Sequence, residues 1–174
     1  MDLYRSSPQS ILRPAKGLHI LLSLVIALLL EMVPTSRDWV MPDFVALVLL
    51  FWNIRQPRVV GIGIAWFLGL ITDIQSGCLL GEHALAYTLL SYFAITIHRR
   101  VLWFTVGWQT VHILPLFAAA FCITFGLRLL AGGQMPAWPI FLEPLVTAAL
   151  WPIVQFILLI PQKLPESRDV NRPI

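Results

Sequence analysis

Long apolar runs separated by short polar or basic turns make up most of the chain, and about 20 apolar residues in a helix span a hydrocarbon core of about 30 Å. The first run, Leu18 to Val33, is preceded by Arg5, Arg13 and Lys16 and ends at Pro34. A basic flank before an apolar run resembles a secretion signal. No small-residue cleavage site follows, however, and further apolar runs do, so the segment reads as an uncleaved first helix. Beyond the polar turn Thr35-Ser36-Arg37-Asp38, a short second helix is predicted from Pro42 to Ile54. Proline suits a first helical turn, and Asp43 beside it suits the positive end of the helix dipole.

The basic turn Arg55-Gln56-Pro57-Arg58 leads into a third helix, Val59 to Ile74. The second and third helices are expected to form a hairpin of short elements crossing a thinned or partly polar region. A glycine-bearing loop, Gln75 to Gly81, precedes a fourth helix from Glu82 to Ile97, closed by His98-Arg99-Arg100. The fifth segment, Val101 to Leu130, is too long for an upright crossing, and Pro115 near its middle predicts a kink or a tilt. After a loop from Ala131 to Ala137, the last segment, Trp138 to Ile160, carries Pro139, Pro144 and Pro152. Helix bundles accommodate such prolines because neighbouring helices satisfy the freed carbonyls. The expected organisation is all-α and polytopic: a basic N-terminus over 1–17, a six-helix transmembrane domain over 18–160, and a polar, disordered tail over 161–174.

Composition strengthens this picture. Of 174 residues, 58% are hydrophobic and only 12% charged, with a mean hydropathy of +0.80, whereas about a quarter of a soluble domain is charged. No stretch is left for an extramembrane enzyme domain. The net charge of +3 does not indicate nucleic acid, because the basic residues come in twos and threes between apolar segments. Under six crossings, one side carries Arg5, Arg13, Lys16, Arg55, Arg58, Arg99, Arg100, Lys163, Arg168 and Arg172, and the other only Arg37 and Arg128. The positive-inside rule then puts both termini in the cytoplasm. Glu31, Asp38, Asp43, Asp73, Glu82 and Glu143 gather on the opposite, outer side. Cys78 and Cys122 make no ligand spacing and read as free thiols.

The third segment places Gly61, Ala65, Gly69 and Asp73 at intervals of four, a stripe of small residues ending in an acid. Small residues let helices approach closely in lipid, and an ionisable residue there turns toward the bundle or toward water. Asp73 is thus either an anchor for the outer loop or a partner helix, or an acid that stays wet at the interface. Glu82-His83 invites metal or acid–base chemistry, but no second ligand stands at a spacing such as H-E-x-x-H, and an acid in a first turn is explained by the helix dipole. Gln109, His112 and Pro115 share a helical face that would either hydrogen-bond a neighbouring helix or line a cavity. Ser23 and Ser91 read as interhelical donors, and neither a G-x-S-x-G elbow nor a phosphate-binding glycine loop occurs.

Pro42-Asp43, Trp52, Pro57, Gly61 and the block from Gly69 to Ala86, with its pattern G-L-x-x-D-x-x-x-G-x-x-L-G-x-x-A-L, resemble the rod shape-determining MreD family. The motif resemblance covers residues 42 to 100, and size and topology extend it over the whole chain, including the pair Trp151-Pro152. The resemblance implies a noncatalytic, cofactor-free component of the bacterial inner membrane that serves peptidoglycan synthesis during cell elongation. It implies association with MreC, and with MreB, RodZ, RodA and its transpeptidase in a larger complex. It also implies a fold similar to the substrate-binding subunits of energy-coupling-factor transporters, a likeness that does not carry function. Gly61, Ala65, Gly69, Asp73, Gly77, Gly81, Pro42 and Asp43 are the candidate packing or partner-contact residues, and Gln109 and His112 the candidate polar residues of the interior. The competing reading is a small-molecule-binding subunit of a transporter, with Gln109, His112 and Asp73 lining a pocket. An enzyme using Glu82, His83 or Glu143 ranks last, because no nucleophile, base and oxyanion donor come together in the sequence.

Overall fold

The computed structural model describes residues 17–33, 40–133 and 138–162, and every regular element among them is helical. The predicted basic N-terminus and polar tail lie outside the described residues, apart from Gly17 and residues 161–162. Seven α-helices follow in order: α1 Gly17–Glu31, α2 Phe44–Arg55, α3 Ile62–Ser76, α4 Glu82–Leu102, α5 Val106–Leu130, α6 Glu143–Ala149 and α7 Trp151–Leu159. Single 3-10 turns, Trp138–Leu142 and Ile160–Gln162, flank the last two.

The bundle is built around α2. Its sequence FVALVLLFWNIR is apolar on every side, and a helix apolar all round must be surrounded. Every residue from Val45 to Ile54 is buried, by α1, α4, α6 and α7. At 12 residues and 1.5 Å per residue, α2 is only about 18 Å long. Its burial removes the cost of that shortness, because no lipid has to match its length.

The outside of the bundle is apolar instead. Leu18, Leu21, Leu22, Val25, Ile26 and Leu29 of α1 are exposed, as are Trp66 and Phe67 of α3 and Trp108 and Val111 of α5. Such a surface suits lipid rather than water. Two stretches, Val106–Leu130 and Trp138–Gln162, are long and apolar enough to cross a membrane by length and composition, while α1, α2 and α3 are shorter apolar helices.

Several boundaries differ from expectation. The second and third helices do not form a packed hairpin: α3 lies along α4. The side of α3 that carries Ala65, Gly69, Thr72 and Asp73 is its buried side, and Gly69 lets the α4 backbone come close. Pro42 is not in the first turn of α2 but precedes Asp43, the N-cap. The fourth helix runs on through His98-Arg99-Arg100 to Leu102, so the next break falls at Trp103–Thr105, where Thr105 turns extended. The last segment is two helices rather than one, with Pro144 and Pro152 each in a first turn. Pro152 lacks an N–H, so it cannot donate to the carbonyl of Ala148 four residues back, and the helix restarts there. By contrast, α5 is continuous through Pro115.

Candidate functional site

Chain direction brings the ends of α1, α3 and α5 to the same end of the bundle as the starts of α2, α4 and α6. Each helix start there has free N–H groups, and buried or half-buried carboxylates meet them. Asp43 caps α2, with its Oδ1 accepting the Ala46 amide at 2.7 Å. The Tyr87 hydroxyl lies 2.9 Å from both Asp43 oxygens. The Asp43 amide donates to Thr147 Oγ1 at 3.1 Å, tying α2 to α6. Glu31, the last residue of α1, accepts the Phe44 amide at 3.1 Å.

Asp73 is fully buried and works across the α3–α4 connection. Its Oδ2 accepts the Gly81 amide at 2.8 Å, and its Oδ1 accepts the His83 amide and lies against His83 Nδ1, both at 2.8 Å. Gly81, the N-cap of α4, has no side chain to cap with. Asp73 supplies the missing cap from the neighbouring helix, where negative charge also suits the α4 dipole. Its own carbonyl receives the amides of Gly77 and Cys78, which closes α3. The turn between them needs left-handed backbone at Gly77 (φ 63°) and Gly81 (φ 104°), where a side chain is strained. One acid and two glycines thus hold the whole reversal.

Glu82 is also buried, and its partner is Arg128 near the end of α5, with Nη2 2.6 Å from Oε1. The same Nη2 lies 3.4 Å from Cys78 Sγ. Burial pushes the Cys78 thiol up despite this guanidinium. Adjacent in sequence, Glu82 and His83 therefore serve different helices, α5 and α3. Between these contacts lies a cavity of about 20 Å³ lined by Asp43, His83, Tyr87, Phe117, Glu143 and Thr147 among others, about enough for one water molecule. No group of three or more His, Cys, Asp or Glu side chains fit to hold a metal occurs among the described residues.

The candidate residues fall into separate groups. Ala65, Gly69 and Asp73 lie on the buried side of α3 and Gly77 and Gly81 in its turn into α4; a Cβ at Gly69 would strike the α4 backbone, whereas one at Gly61, Gly77 or Gly81 would meet nothing within 4 Å. Gln109 is buried, donates to the Phe104 carbonyl at 2.9 Å and accepts Trp151 Nε1 at 3.2 Å, joining α5 to α7. His112 is half-buried, bonds the Trp108 carbonyl within its own helix and stacks on Phe104 at 4.2 Å. Pro115 is exposed, so the three do not form one polar stripe. Ser23 accepts Trp52 Nε1 at 2.8 Å, and Ser91 accepts Asn53 Nδ2 at 2.9 Å.

The partners that sequence reasoning missed are Glu31, Tyr87, Arg128 and Thr147. They stand 13 to 104 residues from the groups they meet, and helical spacing carries no information over such separations. Two of them left a trace: Glu31 as one of the acids gathered on the outer side, and Arg128 as one of only two basic residues assigned there.

A family model described as rod shape-determining protein MreD matches residues 13–160, which spans α1 through α7. The rod shape-determining protein MreD of Haemophilus influenzae is 30% identical over 146 residues, covering 80% of this chain and 87% of that protein. No solved structure matches the chain. With a match over this much of the chain, and the acid-and-glycine turn of α3 and α4 inside it, the chain belongs to the rod shape-determining protein MreD family.

Proposed function

We propose that this protein is a noncatalytic, multi-pass component of the bacterial inner membrane that helps organise peptidoglycan synthesis during cell elongation. It binds MreC through its transmembrane and outer-face surfaces, within a larger complex of MreB, RodZ, RodA and its transpeptidase. Both termini face the cytoplasm, flanking a six-crossing domain over 18–160. One observation carries the scaffold reading: Asp43, Asp73, Glu82 and Gln109 are all engaged in joining helices. Groups so engaged position surfaces and are not free to act on a substrate. The apolar outer sides of α1, α3 and α5, together with the open position at Gly61, are available to partner helices.

The transporter-subunit reading finds less support. It requires a pocket for a metabolite, and the cavity at the acidic end has room for about one water. Asp73 and Gln109 are also held by protein partners at different places in the bundle.

The test is a membrane pull-down of the tagged protein from its native host, beside an Asp73→Asn variant at matched abundance. MreC and wall-synthesis enzymes should co-purify, and the variant should recover less of them. Recovery of an ATPase and transport subunits instead would contradict the scaffold reading.

A further inference from the structure

The apolar outer sides of the bundle differ in length. Helix α5 has 25 residues, whereas α1 and α3 have 15 each. At 1.5 Å per residue, α5 runs about 36 Å and the other two about 21 Å, against a hydrocarbon core of about 30 Å. A helix that is too long adapts by tilting. Tilting a short helix only reduces its reach, so the bilayer has to come to it.

Shortness carries no such consequence for α2, which is enclosed. It does for α1 and α3, which are open to lipid from end to end: Leu18, Leu22 and Leu29 along α1, and Ile62, Phe67 and Ile74 along α3, are all exposed. Both helices are also bounded by polar groups. In sequence α1 follows Lys16, and it ends on Glu31, which is held by the Phe44 amide. In the same way α3 follows Arg58 and closes around Asp73, the buried cap of α4. Even the whole apolar run from Leu18 to Val33, taken as helix, reaches only about 24 Å. The same limit appears on α4, where the buried Glu82 of the first turn and the exposed Arg99 of the last stand about 25 Å apart along the axis. The length of α5 does not relieve this, because α1 packs on α2 and α3 on α4.

We propose that the α1 and α3 sides of the bundle bind a thinned lipid boundary, with a hydrocarbon thickness of about 21–25 Å in place of about 30 Å, wherever partner helices leave those sides uncovered. The proposal rests on the multi-pass reading and adds to it the class of lipid these sides take, phospholipid with short acyl chains. A protein with such a boundary gathers in the thinner parts of a membrane.

The experiment is thermal unfolding of the full chain in nanodiscs made from fluid, monounsaturated phosphatidylcholines of rising chain length: myristoleoyl, palmitoleoyl, oleoyl and erucoyl. Each disc holds a single copy, so that no second copy covers the short sides. Tm should be highest in the two shortest lipids and fall by roughly 5 °C or more toward erucoyl. Inserting one helical turn of leucines before Leu18 lengthens α1 by about 5 Å and leaves the register of its packed residues unchanged. It should move the Tm maximum to longer chains. A maximum at oleoyl or beyond in the unaltered protein, a flat series, or a maximum that the insertion does not move would overturn the proposal. Alkaline carbonate extraction of native membranes separates this from the reading beneath it. A chain that resists extraction but prefers long lipids refutes the thinned boundary alone, whereas a chain released by carbonate refutes the multi-pass reading and the boundary with it.

Discussion

Replacing Gly69 with alanine adds one methyl group where α3 meets α4. An ideal Cβ there would lie 2.5 Å from the Ala84 nitrogen and 2.7 Å from the His83 carbonyl carbon, with Ala84 Cα also in its way. These are backbone atoms, which cannot rotate aside as a flexible side chain can. Restoring ordinary contact near 3.5 Å requires the helices to part by about 1 Å. Overpacking of this kind costs about 1–3 kcal/mol. The same movement pulls the Gly81 and His83 amides, now 2.8 Å from the Asp73 carboxylate, out of hydrogen-bonding range. Bonds to a charged group contribute about 1.5–3 kcal/mol each. The combined loss is about 4–9 kcal/mol, which at about 2–4 °C per kcal/mol for a chain of this size lowers Tm by roughly 10 °C at the least. Thermal unfolding in mild detergent, followed by tryptophan fluorescence, measures it. Gly126→Ala in α5 is the matched control, because a Cβ there meets nothing within 4 Å. It should leave Tm unchanged or raise it slightly, since alanine favours a helix interior by about 0.5–1 kcal/mol. If Gly69→Ala melts with the unaltered protein, the close α3–α4 approach is not what the fold depends on.

Other perturbations probe the same end of the bundle and its interior. Asp73→Ala removes the cap of α4 and should cost about 3 kcal/mol. It should also speed maleimide labelling of Cys78 in a Cys122→Ala background, and an unchanged labelling rate would mean that Asp73 does not hold the turn. A double-mutant cycle of Glu82→Gln and Arg128→Gln should give a coupling of about 1–2 kcal/mol, toward the low end for a buried pair because Arg128 is 36% exposed. Additive effects would show that the ion pair contributes nothing. Trp151→Phe keeps the packing but leaves Gln109 Oε1 without its donor, so a loss of about 1 kcal/mol is expected in denaturant unfolding, and no loss would assign the α5–α7 contact to packing alone.

The parts of the fold legible in sequence are those governed by local pattern. Apolar runs located the helices, and the four-residue spacing of Ala65, Gly69 and Asp73 placed them on the buried side of α3. Boundaries were lost where the apolar pattern did not change. Val101 and Leu102 look like the start of a new segment but extend α4, and Thr105 marks the break by its backbone rather than by hydropathy. The hairpin expected of α2 and α3 failed for a different reason. A short connection suggests adjacent helices, yet α2 is apolar all round and takes up α1, α4, α6 and α7, leaving α3 to the glycine seam with α4. In the candidate site, the sequence showed the acids but not their work. Asp43 read as a charge near a helix dipole and is a cap shared with Tyr87, and Glu82 read likewise and is half of an ion pair. Both partners lie more than 40 residues away, on helices whose facing sides only tertiary packing determines.

The most direct test of the scaffold account is made in cells. A host depleted of its own rod shape-determining protein MreD is supplied with this chain, or with its Gly69→Ala variant at equal membrane abundance, and cell width and length are measured by microscopy. The account predicts that the unaltered chain restores rods and that the variant, with its α3–α4 seam forced apart, leaves cells rounded. Rounded cells with the unaltered chain, or full rods with a variant shown to have lost the seam, would contradict it.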